Sequence, residues 1–442
     1  MKEAFLARME AYLKEEFPAF LASLDCEMYR GVRYNLLKLT KEQFMELFPY
    51  DIKQTPFCEE AFYIDADIQK LGTHPLHVSG GIYMQEPSAT SAVTVLDVQS
   101  DDWVLDLCAA PGGKSSQIAA RLNHSGLLVA NEIDFKRAKI LLSNMERLGF
   151  GEVIITNNRA DQLCHHCTGW FDKILVDAPC SGEGMMKKHD EAMHGWSVAN
   201  VQACANRQFE ILNTAFDALK AGGILVYSTC TYAIEENEAI VSRILSCRED
   251  IIQIDCGAAF GRCGFACEGM DHQKVRRIFP MDQGEGHFIA KFQKLNTAHT
   301  KKQKNKKITA PSKQQLSALA KIIELPQGYF DVCDDQIYYR KHMFVDMGKL
   351  HVLRQGVLCG TWTKNRLNPH HHLFMSAYLR DSFKQVLELN EEQWHSYQAG
   401  EELNIDGYYG IVALAWHSLI VGYGKGDGNV IKNKYPKGLR VR

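Results

Sequence analysis

Two short stretches set thiols beside acids. Asp177-Ala-Pro-Cys-Ser-Gly-Glu-Gly184 ends an apolar run in an acid, and a proline-anchored turn then exposes Cys180. Ser228-Thr-Cys-Thr231 puts a second thiol, Cys230, at the end of the next apolar run. Either cysteine alone reads as a small buried hydrophobe. Two of them near a lysine and a cationic ligand read differently. Positive charge favours the thiolate, the form that attacks an electrophilic carbon.

The lysine stands in a third stretch, Val104-Leu-Asp-Leu-Cys-Ala-Ala-Pro-Gly-Gly-Lys-Ser115. It reads as a buried strand ending in Asp106 and Leu107, a turn through Pro111, Gly112 and Gly113, and a helix from Lys114 to Arg121. Paired glycines let the main chain approach a ligand closely, and the start of a helix leaves N–H groups unpaired. The G-x-G-x-x-G spacing of dinucleotide binders is absent, and Cys108 stands where a P-loop needs its first glycine. A nucleoside cofactor without a pyrophosphate suits this loop better, and S-adenosylmethionine is the common one. The expected cofactor segment is therefore Cys108, Ala109, Ala110, Pro111, Gly112, Gly113 and Lys114. Glu132 follows the next apolar run, 20 residues beyond Gly112. An acid about that far on accepts hydrogen bonds from a ribose diol. Alone, it also reads as a helix N-terminal acid favoured by the macrodipole.

Five candidate strands, Trp103–Leu107, Leu127–Asn131, Val153–Thr156, Lys173–Val176 and Ile224–Ser228, alternate with helical stretches at Lys114–Leu122, Lys136–Leu148, Val201–Lys220 and Glu235–Leu245. A last strand reads as His287–Phe292. This is the pattern of an α/β, doubly wound, mostly parallel sheet over residues 76–295. Such sheets bind ligands outside the carboxyl ends of their strands. The Cys108–Lys114 loop, Glu132, Arg159 with Asp161, Asp177 with Cys180, and Cys230 follow the five strands in turn.

Residues 1–75 read as a small α/β appendage, with Phe5, Met9, Tyr12 and Leu13 on one helix face, a strand over Arg33–Leu39 and a helix over Lys41–Leu47. It suits either RNA contact or simple packing. Residues 296–314, within a lysine-rich stretch, read as a flexible basic linker or a solvated spacer. Residues 315–442 hold short strand-like runs, including Gln336–Tyr339 and Gly410–Ala415. In the tail, Lys425, Lys432, Lys434, Lys437, Arg440 and Arg442 face one acid, Asp427, which suits a phosphate backbone.

A formal charge of −3 excludes a globally basic nucleic-acid binder and leaves local patches. No apolar run approaches about 18 residues, and Met1-Lys-Glu opens no secretory signal. The 14 cysteines are scattered, as reduced thiols are. A soluble cytoplasmic protein away from membranes is expected. Cys164-His-His-Cys167 resembles half a zinc site, but no second pair stands at ligand spacing, so no metal is expected. His189, His194 and Trp196 either line a base pocket or only cover the site.

At these motifs the chain resembles the Sun-type RNA cytosine-carbon-5 methyltransferases, particularly their bacterial 16S rRNA enzymes. The resemblance is carried by Asp106–Lys114, Asn131-Glu132, Asp177–Gly184 and Ser228–Thr231, with Arg33–Lys38, Tyr83–Pro87 and Lys432–Gly438 at the ends. It implies a Rossmann-like S-adenosylmethionine-dependent methyltransferase domain between a small N-terminal α/β domain and a C-terminal PUA-like RNA-binding module. It also implies roles. Cys230 adds to carbon 6 of a cytosine in the 16S decoding region, Cys180 assists release, Asp177 holds the cytosine edge and the cofactor, and Lys114 supports the site. The partner implied is 16S rRNA or the small ribosomal subunit, met by a monomer. Relatives often place an acid after the third strand to read the adenine. Direct alignment puts Arg159 there, and a two-residue shift puts Asp161, which can accept from the adenine amine. Transfer RNA is the rival substrate, a protein or small molecule is another on this fold, and an RNA-binding assembly factor is the non-catalytic alternative.

Overall fold

The apolar runs in the middle of the chain become adjacent strands of one sheet. In the computed structural model, which describes residues 3–187, 195–296 and 300–441, a small antiparallel sheet comes first. It holds β1 (Arg30–Tyr34), β2 (Ile52–Gln54), β3 (Ala61–Ile64) and β4 (Ile82–Met84) in the order β2-β3-β1-β4. The parallel strands β5 (Trp103–Asp106), β6 (Leu127–Asn131), β7 (Val153–Thr156), β8 (Phe171–Asp177) and β9 (Leu219–Thr229) follow. Every residue of β6 and β7 is buried, which is why their sequences run apolar without alternation.

β10 (Ile251–Ile254), β11 (Arg276–Ile278) and β12 (His287–Lys294) complete this side, β12 lying antiparallel to β9. The chain starts the parallel sheet at β5, moves out to β7, then crosses back to β8 and β9. The loops after β5 and β8 therefore diverge at the switch point, where a crevice opens. The helices between strands are held by their ends. Asp134 accepts from Arg137 N at the start of Phe135–Leu148, and Gly149 closes it in the left-handed region at φ 84°.

Where the sequence suggests one strand over Arg33–Leu39, β1 instead stops at Tyr34. Asn35 turns the chain, accepting from Leu37 N (3.1 Å) and donating to Gly80 O and Leu148 O (3.0 Å each). A short amide side chain that bonds neighbouring backbone competes with the ladder and ends it.

In the C-terminal region β13 (Tyr329–Cys333), β14 (Gln336–Arg340), β16 (Val357–Thr363) and β17 (Arg366–Pro369) form one sheet, but β15 (Val352–Gln355) leaves it. β15 pairs antiparallel with β7 and so finishes the edge of the central sheet. The last sheet runs β18-β20-β21-β22-β19, from β18 (Val386–Glu388), β19 (Leu403–Asn404), β20 (Tyr409–Trp416), β21 (Leu419–Asp427) and β22 (Val430–Asn433). The described part of the lysine-rich stretch is tied down rather than loose. Trp170 Nε1 donates to Lys301 O (2.7 Å), Lys306 N to Phe344 O (2.7 Å), and Lys306 Nζ pairs with Asp331 (2.6 Å). No helix among the described residues is long and apolar enough to cross a membrane.

Candidate active site

The loop after β5 is cradled by its neighbours. Ala109 N donates to Asn131 O (2.8 Å), Arg137 Nη2 to Ala110 O (2.8 Å) and Asn144 Nδ2 to Pro111 O (2.8 Å). Gly112 sits at φ 111°, where a side chain is strained, and caps the helix Gly113–Arg121. From the N-terminal sheet the buried Arg33 donates to Gly113 O (3.0 Å) and Ser116 Oγ (2.6 Å). The loop and its helix are thus fixed from two sides.

This cradle is acidic. Glu132 is 3% exposed, with one oxygen on Asp134 N (2.9 Å) and the other 3.4 Å from Arg137. Asp106 accepts from Ser115 Oγ (2.6 Å) through one oxygen, while its other, Oδ1, is buried with no donor. Burial first, and Asp177 besides, push the Asp106 carboxyl up to about 7 against the Ser115 bond. Beside Glu132, Ile133 leaves 67% of an apolar side chain exposed. Buried acceptors next to an open apolar surface and close-approach backbone fit a cationic nucleoside that brings an amine, a ribose diol and a flat base. S-adenosylmethionine is such a ligand. Cys108 lies in the same loop, and burial drives its thiol well above the ordinary range.

The thiols meet across the ends of β8 and β9, with Cys180 Sγ 3.2 Å from Cys230 Sγ. Their contact first, and burial next, hold the Cys180 thiol far above its ordinary value, so Cys180 keeps its proton. Lys114 Nζ donates to Asp177 Oδ2 (2.8 Å), and Ser228 Oγ donates to Asp177 Oδ1 (2.7 Å). Burial opposes the ammonium, but Asp177 and then Cys230 outweigh it, so Lys114 is a stronger base than an ordinary lysine. Burial likewise opposes the Asp177 charge, and Lys114 overcomes it and keeps the carboxylate ionised. His287 is itself pushed down to about 3, by burial ahead of Lys114, and stays neutral against Ser88 Oγ (3.0 Å).

Two buried carboxylates that sequence reading did not single out clamp the thiol turns. Glu236 accepts from Ser181 N (2.9 Å), Ser181 Oγ and Gln208 Nε2 (2.7 Å). Glu183 accepts from Thr231 Oγ1 (2.9 Å), Tyr232 N (2.9 Å) and Trp196 Nε1 (2.8 Å). Gly184 N donates to Cys230 O (3.0 Å), and a Cβ on Gly184 would stand 3.1 Å from that oxygen, so the turn needs glycine to close. Glu183 lies inside the Cys180 motif and Glu236 six residues past Cys230. Their proximity to the thiols was readable, but their partners across the fold were not.

Other expected residues fall elsewhere. Asp161 is exposed on the first turn of the helix Ala160–His166, paired with the equally exposed Arg159 (3.1 Å). Asn158, nearer the strand end, is buried and bonded to the backbone of His351 from the C-terminal region. Cys164 and Cys167 are fully buried in the apolar core under the sheet, protonated by that burial. Among the described residues no cluster of His, Cys, Asp or Glu is arranged to hold a metal ion. Trp196 is buried among Phe5 and its neighbours, while His189 and His194 lie outside the described residues.

Fold and site together define a Rossmann-like, S-adenosylmethionine-dependent methyltransferase. Residues 93–293 match the 16S rRNA methyltransferase RsmB/F family, and residues 1–87 match the N-terminal domain of 16S rRNA methyltransferase RsmF. Residues 315–376 match the RsmF rRNA methyltransferase first C-terminal domain, and 384–441 the methyltransferase RsmF PUA domain. The ribosomal RNA small subunit methyltransferase F of Vibrio cholerae serotype O1 is 32% identical over 473 residues, covering 99% of this chain and 97% of its own. That of Shewanella oneidensis is 31% identical, covering 97% and 95%. The chain belongs to this RsmF family of 16S rRNA methyltransferases.

Among solved structures, a methyltransferase homolog from Pyrococcus horikoshii superposes with a TM-score of 0.60 at 28% identity, over 67% of this chain and 96% of that one. NSun6 from the same organism, solved with the S-adenosylmethionine analogue SFG, shares the fold (TM-score 0.58, 22% identity, 67% and 98% covered).

Proposed function

We propose that this chain methylates carbon 5 of a cytosine in 16S rRNA through a covalent bond between Cys230 and the base. The observation that carries the reading is the thiol pair. One sulfur, Cys180, is held in its protonated form 3.2 Å from the other, which stands near the Lys114 ammonium and beside the acidic cofactor cradle.

The target cytosine must leave its stack to reach these groups, at a cost of a few kcal/mol. Asp177, held ionised by Lys114 and oriented by Ser228, accepts a hydrogen bond from the base edge. The Cys230 thiolate adds to carbon 6 and makes carbon 5 a nucleophile. S-adenosylmethionine supplies an electrophilic methyl group when bound. A base then takes the proton from carbon 5, the sulfur–carbon 6 bond breaks, and Cys180 assists the departure of the Cys230 thiolate. Lys114 and the buried dipoles of Ser228 and the thiol turns are fixed beforehand, so little reorganisation accompanies the charge changes.

The matched N-terminal and PUA domains serve the same reading as the RNA-gripping ends of a cytoplasmic enzyme. Bisulfite mapping of 16S rRNA from cells with and without the gene tests it: one or more protected cytosines are expected to vanish with the gene. An unchanged map would overturn the assignment.

A further inference from the structure

Residues 315–376, the matched first C-terminal domain, have no role in the mechanism above. Their strand β15 closes the edge of the central sheet, with Val352 opposite Thr156 at the end of β7. The next two residues after β7 are asparagines, and they join this domain to the cofactor cradle. Asn157 Nδ2 donates to Glu132 O (2.7 Å) and Ile133 O (2.9 Å). Glu132 N donates to Thr156 O (3.1 Å), so both backbone groups of the proposed ribose acid rest on this turn. Asn158 N donates to Asn131 Oδ1 (3.1 Å). Asn131 Nδ2 donates back to Asn158 O (3.0 Å) and on to Leu107 O (3.2 Å), where the cofactor loop begins.

One residue of the C-terminal domain holds the asparagine turn. His351 O accepts from Asn157 N (3.0 Å) and Asn158 Nδ2 (3.1 Å), and His351 N donates to Asn158 Oδ1 (2.9 Å). Its ring stacks on Phe135, the first residue of the helix Phe135–Leu148, with centroids 6.1 Å apart and planes at 28°. At the far end of that helix Arg354 pairs with Glu146, and Ala377 N donates to Gly149 O (3.0 Å). The same helix carries Arg137 and Asn144, which hold the carbonyls of Ala110 and Pro111. The C-terminal region therefore fastens both the acid and the loop of the cradle.

We infer that the first C-terminal domain is a working part of the S-adenosylmethionine site, with His351 and Arg354 as positioning residues that preset Glu132 and the Cys108–Lys114 loop before RNA arrives. A ligand that must order its own contacts loses affinity, and a cradle fixed from a second layer avoids that loss. A domain that only gripped RNA would not need to bond the turn beside Glu132. The inference rests on reading Glu132 and that loop as the cofactor cradle.

Calorimetric titration of the full-length enzyme with S-adenosylmethionine tests it, without RNA and at a temperature where circular dichroism shows each variant folded. Asn158→Ala removes both side-chain bonds to His351 and keeps the backbone bonds to Asn131. The Kd for S-adenosylmethionine is expected to rise roughly tenfold, the worth of about one lost hydrogen bond. Arg354→Ala frees the far end of the helix without touching the turn, should raise the Kd too, and carries the test if Asn158→Ala does not fold. Affinity for 16S rRNA, from filter binding, is expected to stay at the wild-type value in both, a split that general loss of structure does not produce. A wild-type Kd for S-adenosylmethionine in the folded variants, or parallel losses for both ligands, would overturn the inference. Wild-type S-adenosylmethionine affinity in Glu132→Ala would instead overturn the reading of the cradle beneath it.

Discussion

The sulfurs of Cys180 and Cys230 lie 3.2 Å apart although 50 residues separate them in sequence. Parallel pairing of β8 with β9 sets Asp177 opposite Ser228, and both turns leave the sheet on the same side. Neither sulfur is free to drift, because Glu183 and Glu236 hold both turns by their backbone and hydroxyl groups.

Removing the cation should show what the Lys114–Asp177 pair does. Lys114→Met leaves Asp177 buried without its counter-charge, and methyl transfer is expected to slow by roughly 100-fold in kcat. Ser228→Ala, which removes only one orienting bond, should cost roughly tenfold. Rates at saturating RNA and S-adenosylmethionine measure both; wild-type turnover in Lys114→Met would remove this residue from the chemistry.

Asp106 gives a pH signature. Its carboxyl titrates at about 7 in the folded chain against an ordinary 3.8. Between those values the folded state keeps a proton that the unfolded state has released. Its stabilising contribution is therefore complete below about pH 4 and fades as pH rises through 7, by at most about 1.4 kcal/mol per pH unit. Asp106→Asn does not titrate. Without ligand, its melting temperature should gain on wild type between pH 5 and pH 8, and a difference that stays constant would refute this account of Asp106.

Glu236→Ala strands the Ser181 N–H and the Gln208 amide without an acceptor. Unfolding free energy should fall on the order of 3 kcal/mol. Denaturant titration measures it, and a loss within error of zero would mean that the thiol turns are held by something else.

In the PUA domain Lys425 and Lys432 stand directly opposite one another on β21 and β22, both exposed. Like charges so placed are destabilising unless an anion joins them. Replacing both with alanine should leave the melting temperature level or higher, and should reduce the salt dependence of rRNA affinity by about one unit of slope per lysine. An unaltered slope would exclude them from phosphate contact.

The five parallel strands were legible because each is an apolar run bounded by glycine, proline or acid. The helix Lys41–Leu47 was legible down to its ends, since Thr40 and Gln43 cap it reciprocally. The chemistry-bearing loops were legible because reactive residues followed strand after strand. What stayed hidden depends on partners far apart in sequence. Nothing near Arg33 announces that it holds Gly113, and nothing in Val352–Gln355 announces that it abandons its own sheet for β7. The lysine-rich stretch looks flexible by composition, yet Trp170 and Asp331, one before it and one after, fasten it. Asp161 stands out in the sequence for its charge, and Arg159, two residues away, pairs with that charge at the surface.

The covalent step can be read directly from Cys180→Ala. With the release-assisting thiol gone and Cys230 intact, the enzyme incubated with rRNA and S-adenosylmethionine should accumulate a protein–RNA species that survives denaturing electrophoresis. The Cys180→Ala/Cys230→Ala double variant should form none. An adduct that persists without Cys230, or full methylation by Cys230→Ala, would contradict the assignment of the attacking sulfur.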